Sequence, residues 1–237
     1  MAFDNPLTDL VSDEHHPLAR HVALWSDASP RFRTFVETYR DKIRKKVRTT
    51  SEVDALADIE AELAIAALLL RDRRLTIEYE KLGVGNARAP DLTVTFKTHT
   101  LCHVEVTRLR SVQPAANDVA EAQIQKLAST LCDKLGQLPP SAANLMAVAA
   151  EPGQCSVEMF TAAMQRLRQQ AERKNNEFFR QCGLQDVRHF HRQQPRLSGI
   201  LLCWLQPPAC QAAGLWLNPQ TKHPLPAALQ TLLRGLV

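Results

Sequence analysis

The chain of 237 residues predicts an α/β fold with a mixed central sheet flanked by helices. Three observations lead there. Three alternating apolar segments follow one another with short links, Leu75–Glu80, Leu92–Lys97 and Leu101–Arg110, in the manner of an antiparallel meander. Helical periods flank that meander on both sides. Two further apolar runs, Asn144–Ala150 and Gly199–Leu205, are separated by a long helical stretch, as strands of an α/β sandwich would be.

Taken in order, residues 1 to 30 read as irregular, with Pro6, Pro17, Pro30 and the polar cluster SDEHH. Ser29–Pro30 is a start signal for a helix from about Arg31 to Arg48, since proline suits the first helical position. Thr50 and Ser51 cap a second helix, SEVDALADIEAELAIAALLLRD, whose second half is apolar almost all round and so predicts burial against the sheet. The three strands follow, with Gly83, Gly85, Asn86 and Pro90 marking the loop between the first two. A helix spans about Asn117 to Leu138 and ends at Gly136 and Pro139–Pro140. After the strand at 144–150 come a helix over 156–182, strands at 199–205 and 215–217, and an amphipathic helix from Pro224 to Leu236. No repeat or linker divides the chain. It reads as a helical N-terminal extension, residues 1–50, on an α/β domain, residues 51–237.

Composition bounds the function. Hydrophobic residues make up 45% and charged residues 23%, a globular balance, and 5% aromatics leave the core to Leu, Ala, Val and Ile. No run approaches the roughly 18 apolar residues of a membrane span, so no membrane partner is expected. Met1–Leu10 carries Asp4 and Asp9 and lacks the pattern of a secretory signal. Cys102, Cys132, Cys155, Cys182, Cys203 and Cys210 include no CxxC pair and read as reduced thiols, which points to the cytoplasm. The net charge of +4 is concentrated in Arg40–Arg48, RDKIRKKVR, with one acid among six basic residues. That run is either a solvated helix face or a phosphate-contacting patch.

Strand parity then brings carboxylates together. His103, Glu105 and Thr107 share one side of the third strand, opposite Cys102, Val104 and Val106. Asp91 begins the polar face of the second strand, with Thr93, Thr95 and Lys97, and a hairpin lays it near Glu105. Glu62, on the preceding helix, is expected to join them. Glu60 is its rival, but a turn of about 100° per residue prevents the two from sharing a face. Clustered carboxylates repel unless a cation neutralises them, and oxygen donors suit Mg²⁺ or Mn²⁺.

The helix with Glu62, the Pro90–Asp91 dipeptide opening a strand, and Glu105–Val106–Thr107 in the next strand resemble the PD-(D/E)XK, or restriction-endonuclease-like, nuclease superfamily. The order helix, three-stranded meander, helix, strand over residues 55–150 matches that family's fold, and CDKLGQLPPSAANLMAV is similar to bacterial members. The resemblance implies Asp91 and Glu105 as metal ligands, with Glu62 and the backbone of Val106. It implies Mg²⁺- or Mn²⁺-dependent hydrolysis of nucleic acid, DNA in the first instance, by an endonuclease, which often acts as a homodimer. Thr107 stands where the family has its lysine, so the catalytic set reads Glu105, Thr107 and a relocated cation. Lys126, preceded by Gln125, is the expected replacement, with Lys97 as an alternative. The competing expectation is an inactive nuclease fold serving as a nucleic-acid or protein binding module.

Other residues read more plainly. His15–His16 and His189-x-His191 read as surface residues rather than ligands, Trp204 and Trp216 as core. His103 shares the face of Glu105 and is a candidate neighbour of the site. Arg166, Arg168, Arg173 and Lys174 line either a nucleic-acid groove or an ordinary surface.

Overall fold

A computed structural model describes residues 17–50, 52–81, 89–110, 119–140 and 142–237. The readings of residues 1–16, including His15–His16, of the glycine-rich loop at Gly83–Asn86, and of the helix start at Asn117 fall outside them.

The sheet has six strands in sequence order: β1 (Leu75–Tyr79), β2 (Leu92–Phe96), β3 (Thr100–Arg108), β4 (Ala143–Ala150), β5 (Leu197–Gln206) and β6 (Ala209–Leu217). β1, β2 and β3 form an antiparallel meander, β4 and β5 join in parallel, and β6 closes the sheet antiparallel to β5. Burial follows the alternation read in the sequence. Leu92, Val94, Cys102 and Val104 face one core, whereas Met146 and Val148 face a second one across the sheet.

Helices cover both faces. α1 (Pro17–Ala28), α2 (Pro30–Thr38), α3 (Arg40–Arg48), α4 (Val53–Leu69) and α9 (Ala227–Arg234) pack on the first core. α5 (Val119–Leu135), α6 (Val157–Glu172), α7 (Asn176–Gln181) and α8 (Val187–Gln193) pack on the second. α4 is the central helix of its layer, with Leu63, Ala64, Ile65 and Ala66 fully buried, which is why its apolar residues run all round. The N-terminal helices bury Phe32, Val36 and Ile43 in the same core as α4.

Several elements differ from expectation. Residues 17–28 are helical: Leu18, Val22 and Trp25 recur at helical spacing and are buried, and Pro17 sits in the first turn, where its missing N–H costs nothing. The expected helix 31–48 is two helices, broken at Tyr39, whose φ and ψ of −106° and 16° leave the helical region so that its ring can pack on Phe35 and Tyr79. The helix 156–182 is also two. Lys174 takes a positive φ of 52°, and the Asn175 side chain accepts a hydrogen bond from the Phe178 N–H to start α7. The last strand begins at Ala209 rather than Leu215.

Candidate active site

The site forms where β2 and β3 part. Their register ends at Leu92 opposite Val104, while β3 runs on to Arg108 against β4 alone. The Val106 N–H, past its last β2 partner, donates instead to Asp91 Oδ2 at 2.8 Å. Asp91 thus caps an opened sheet edge with its side chain, a backbone group that would otherwise be buried without a partner. Around this opening lies a cleft of about 1100 Å³, walled by α3 and α4 on one side and by α5 and α7 on the other. It lies at the carboxyl end of the parallel strand β3, the usual side for ligands in such sheets. Seven basic and five acidic side chains line it among the described residues.

One wall belongs to Glu62. Lys46 Nζ, from α3, lies 3.0 and 2.8 Å from its two carboxylate oxygens and 2.8 Å from Glu80 Oε1. The Tyr79 hydroxyl donates to Glu62 Oε2 at 2.7 Å, and Lys46 Nζ stands 5.4 Å from the Tyr79 ring centre. Glu62 is 6% exposed. Burial and the neighbouring negative charge of Asp91 push its carboxyl up to about 7, against the opposing pull of Lys46 and Tyr79. Burial lowers the Lys46 ammonium, but the Glu62 and Glu80 carboxylates outweigh it and hold its pKa above the ordinary lysine range. Burial and the Glu62 charge raise the Tyr79 phenol, so it stays a donor.

The other wall belongs to α5, with Glu105 buried behind it. Glu105 pairs across β3–β4 with Met146, which lies in the second core, so its side chain leaves the strand on the face of α5. There Lys134 Nζ meets Glu105 Oε1 at 2.8 Å, with Glu105 3% exposed. Lys126, Thr130 and Lys134 follow one another at four-residue spacing and all border the cleft, as do Gln125, Ser129 and Asp133. Lys126 is exposed nearer the start of α5, and Thr107 and Val106 line the floor. At the mouth, Arg108 contacts Asp54 and Asp58 at 2.8 and 3.0 Å, and Arg110 reaches the same two acids.

No family model matches the chain, and no curated protein or solved structure matches it either. The site therefore stands on its own geometry.

Asp91 lies within electrostatic reach of Glu62 and accepts the Val106 N–H, and Glu105 meets Lys134. Among the described residues, no three acids, histidines or cysteines are close enough to share one ion. Glu62 and Asp91 leave at most a two-carboxylate set, and Mg²⁺ is an ion that commonly takes one or two carboxylates and completes its shell with water and substrate phosphate.

The remaining candidates lie elsewhere. Glu60 contacts His21 on α1, away from the cleft. Lys97 turns over the Phe96 ring, and His103 contacts the Thr93 hydroxyl at 3.3 Å; neither borders the cleft. His189 and His191 lie on a helix, where residues two apart do not share a face. Arg166 pairs with Glu121, while Trp204 and Trp216 pack on the second core. Sequence reasoning missed Lys46, Tyr79 and Lys134. Lys134 carried a signal in its eight-residue spacing from Lys126, and Lys46 lay within the basic run already singled out.

Proposed function

We propose that the cleft binds DNA and hydrolyses its phosphodiester backbone with Mg²⁺ or Mn²⁺, in the manner of the PD-(D/E)XK nucleases the sequence resembles. The observation that carries this reading is the 2.8 Å contact of Lys134 with Glu105, which supplies from α5 the lysine that Thr107 lacks on β3. In this reading Lys134, not Lys126, is the relocated cation, because it reaches the acid of the motif.

Each residue has a task. Glu62 and Asp91, with Val106, would hold the divalent ion. When bound, such an ion supplies a lowered water pKa and polarisation of the phosphoryl oxygen. Lys45, Lys126 and the mouth arginines draw the DNA phosphates into the cleft. Glu105 orients the Lys134 ammonium, which faces the negative charge developing on the phosphoryl group, an interaction strengthened in a partly buried site. Thr107 offers a neutral hydroxyl on the floor.

A binding module without chemistry is the second reading. It is favoured by Lys46, whose ammonium already contacts both Glu62 oxygens and Glu80. All six cysteines are free thiols, which supports a cytoplasmic setting for either role. No helix among the described residues is long and apolar enough to cross a membrane.

The test is incubation with end-labelled and closed circular DNA in Mg²⁺, in Mn²⁺ and in chelator, beside the Asp91→Asn variant. Metal-dependent cleavage absent from Asp91→Asn supports the nuclease. Binding of the same DNA without cleavage in either metal supports the binding module, and neither binding nor cleavage overturns both.

A further inference from the structure

We propose that Cys132 and Cys182 form a reversible redox site at the edge of the cleft, closing to a disulfide when a peroxide enters. The packing brings them together. Cys132 lies in the last turns of α5, and Cys182 caps the C-terminus of α7. The two backbones abut at the neighbouring residues as well. A Cβ on Gly183 would stand 3.1 Å from Asp133 Oδ1, and one on Gly136 would stand 3.3 Å from the Leu184 side chain. The two thiols lie side by side.

Their environments differ in the way an attacking and a resolving thiol must. Cys132 is sealed in the second core, fully buried, whereas Cys182 borders the open cleft beside Phe178 and Gln181. The contact with Cys132, helped by Ser129 and opposed by burial and the Asp133 charge, lowers the Cys182 thiol. The same contact and burial raise Cys132. Cys182, which borders the cleft while Cys132 lies behind it, is thus the thiol that meets an oxidant first. Cys203 and Cys210, on paired strands β5 and β6, also touch but lie in the first core and border no cleft.

The chemistry closes in two steps. The Cys182 thiolate attacks one peroxide oxygen, the O–O bond breaks, and a sulfenic acid and hydroxide result. Cys132 sulfur then attacks the Cys182 sulfur. The S–S bond forms, the S–O bond breaks, and the departing hydroxide takes the Cys132 proton as water. With hydrogen peroxide, two thiols give up two electrons and two protons, and two waters form. A dithiol reductant reverses the step.

This site is independent of whether DNA is cleaved. Its test is titration of the folded, full-length protein with hydrogen peroxide, followed by maleimide capping and peptide mass mapping. The expected product is a Cys132–Cys182 cross-link that forms before any other cysteine is lost, reverses with dithiothreitol, persists in Cys210→Ser and is absent from Cys182→Ser. Wild-type protein that keeps both thiols, links Cys203 to Cys210 first, or carries sulfinic acid at Cys182 with Cys132 still free would overturn the proposal.

Discussion

Lys134 and Glu105 meet at 2.8 Å across the gap between α5 and β3, and their carboxylate is almost wholly removed from water. Breaking a buried pair from one side typically costs about 3–5 kcal/mol. Lys134→Met should therefore lower the urea midpoint strongly. The double variant Lys134→Met/Glu105→Gln, which removes both charges, should recover most of that loss. Equal destabilisation in single and double variants would mean that the pair contributes through packing rather than charge.

Tyr79→Phe removes the hydroxyl that donates to Glu62 and leaves the ring in place. A hydrogen bond to a charged group contributes about 1.5–3 kcal/mol. Chemical denaturation should show a loss of that size, and a negligible change would place the hydroxyl outside the energetics of the site.

The pH dependence follows from Glu62. Its carboxyl sits near 7 in the folded protein, against an ordinary value of 4.5. Between those values the folded state holds a proton that the unfolded chain has released, so this group's contribution to stability falls as pH rises through the window. Unfolding measured in chelator at intervals from pH 4.5 to 8 should show that fall in the wild type and a flatter profile in Glu62→Gln. Parallel profiles would contradict the assignment.

Lys45 is exposed on α3 and borders the cleft. If it contacts a phosphate, Lys45→Ala should weaken DNA binding without regard to sequence and reduce the salt slope by about 1. Fluorescence anisotropy over a range of salt concentrations reads both quantities. An unchanged slope would leave the basic run of α3 as a solvated face.

The parts legible in the sequence are those that a local period controls. The alternation of Leu92, Val94 and Phe96 and of Cys102, Val104 and Val106 marks strands with one apolar face, and the helix between β3 and β4 makes their parallel pairing natural. α1 was hidden because Pro17 reads as a breaker until one asks whether it begins a helix. The site was only half legible. Parity and helix position pointed to one cluster of Glu62, Asp91 and Glu105, whereas Glu105 meets Lys134, and which lysine reaches it depends on how α5 packs against β3. Lys126 and Lys134 occupy the same row of that helix, so spacing alone does not separate them. Lys46 meets Glu62 through the packing of two helices joined at residues 49–52, a contact with no periodic signature.

The most direct measurement of the central claim compares DNA cleavage in Mg²⁺ by wild type, Lys134→Met and Lys126→Met, each checked for folding by circular dichroism. If Lys134 supplies the missing charge, its loss should reduce the cleavage rate by about 10²–10³-fold, the size seen when one preorganised electrostatic contact is removed, while Lys126→Met retains most of its activity. Cleavage that survives in folded Lys134→Met, or that disappears only with Lys126→Met, would contradict the account.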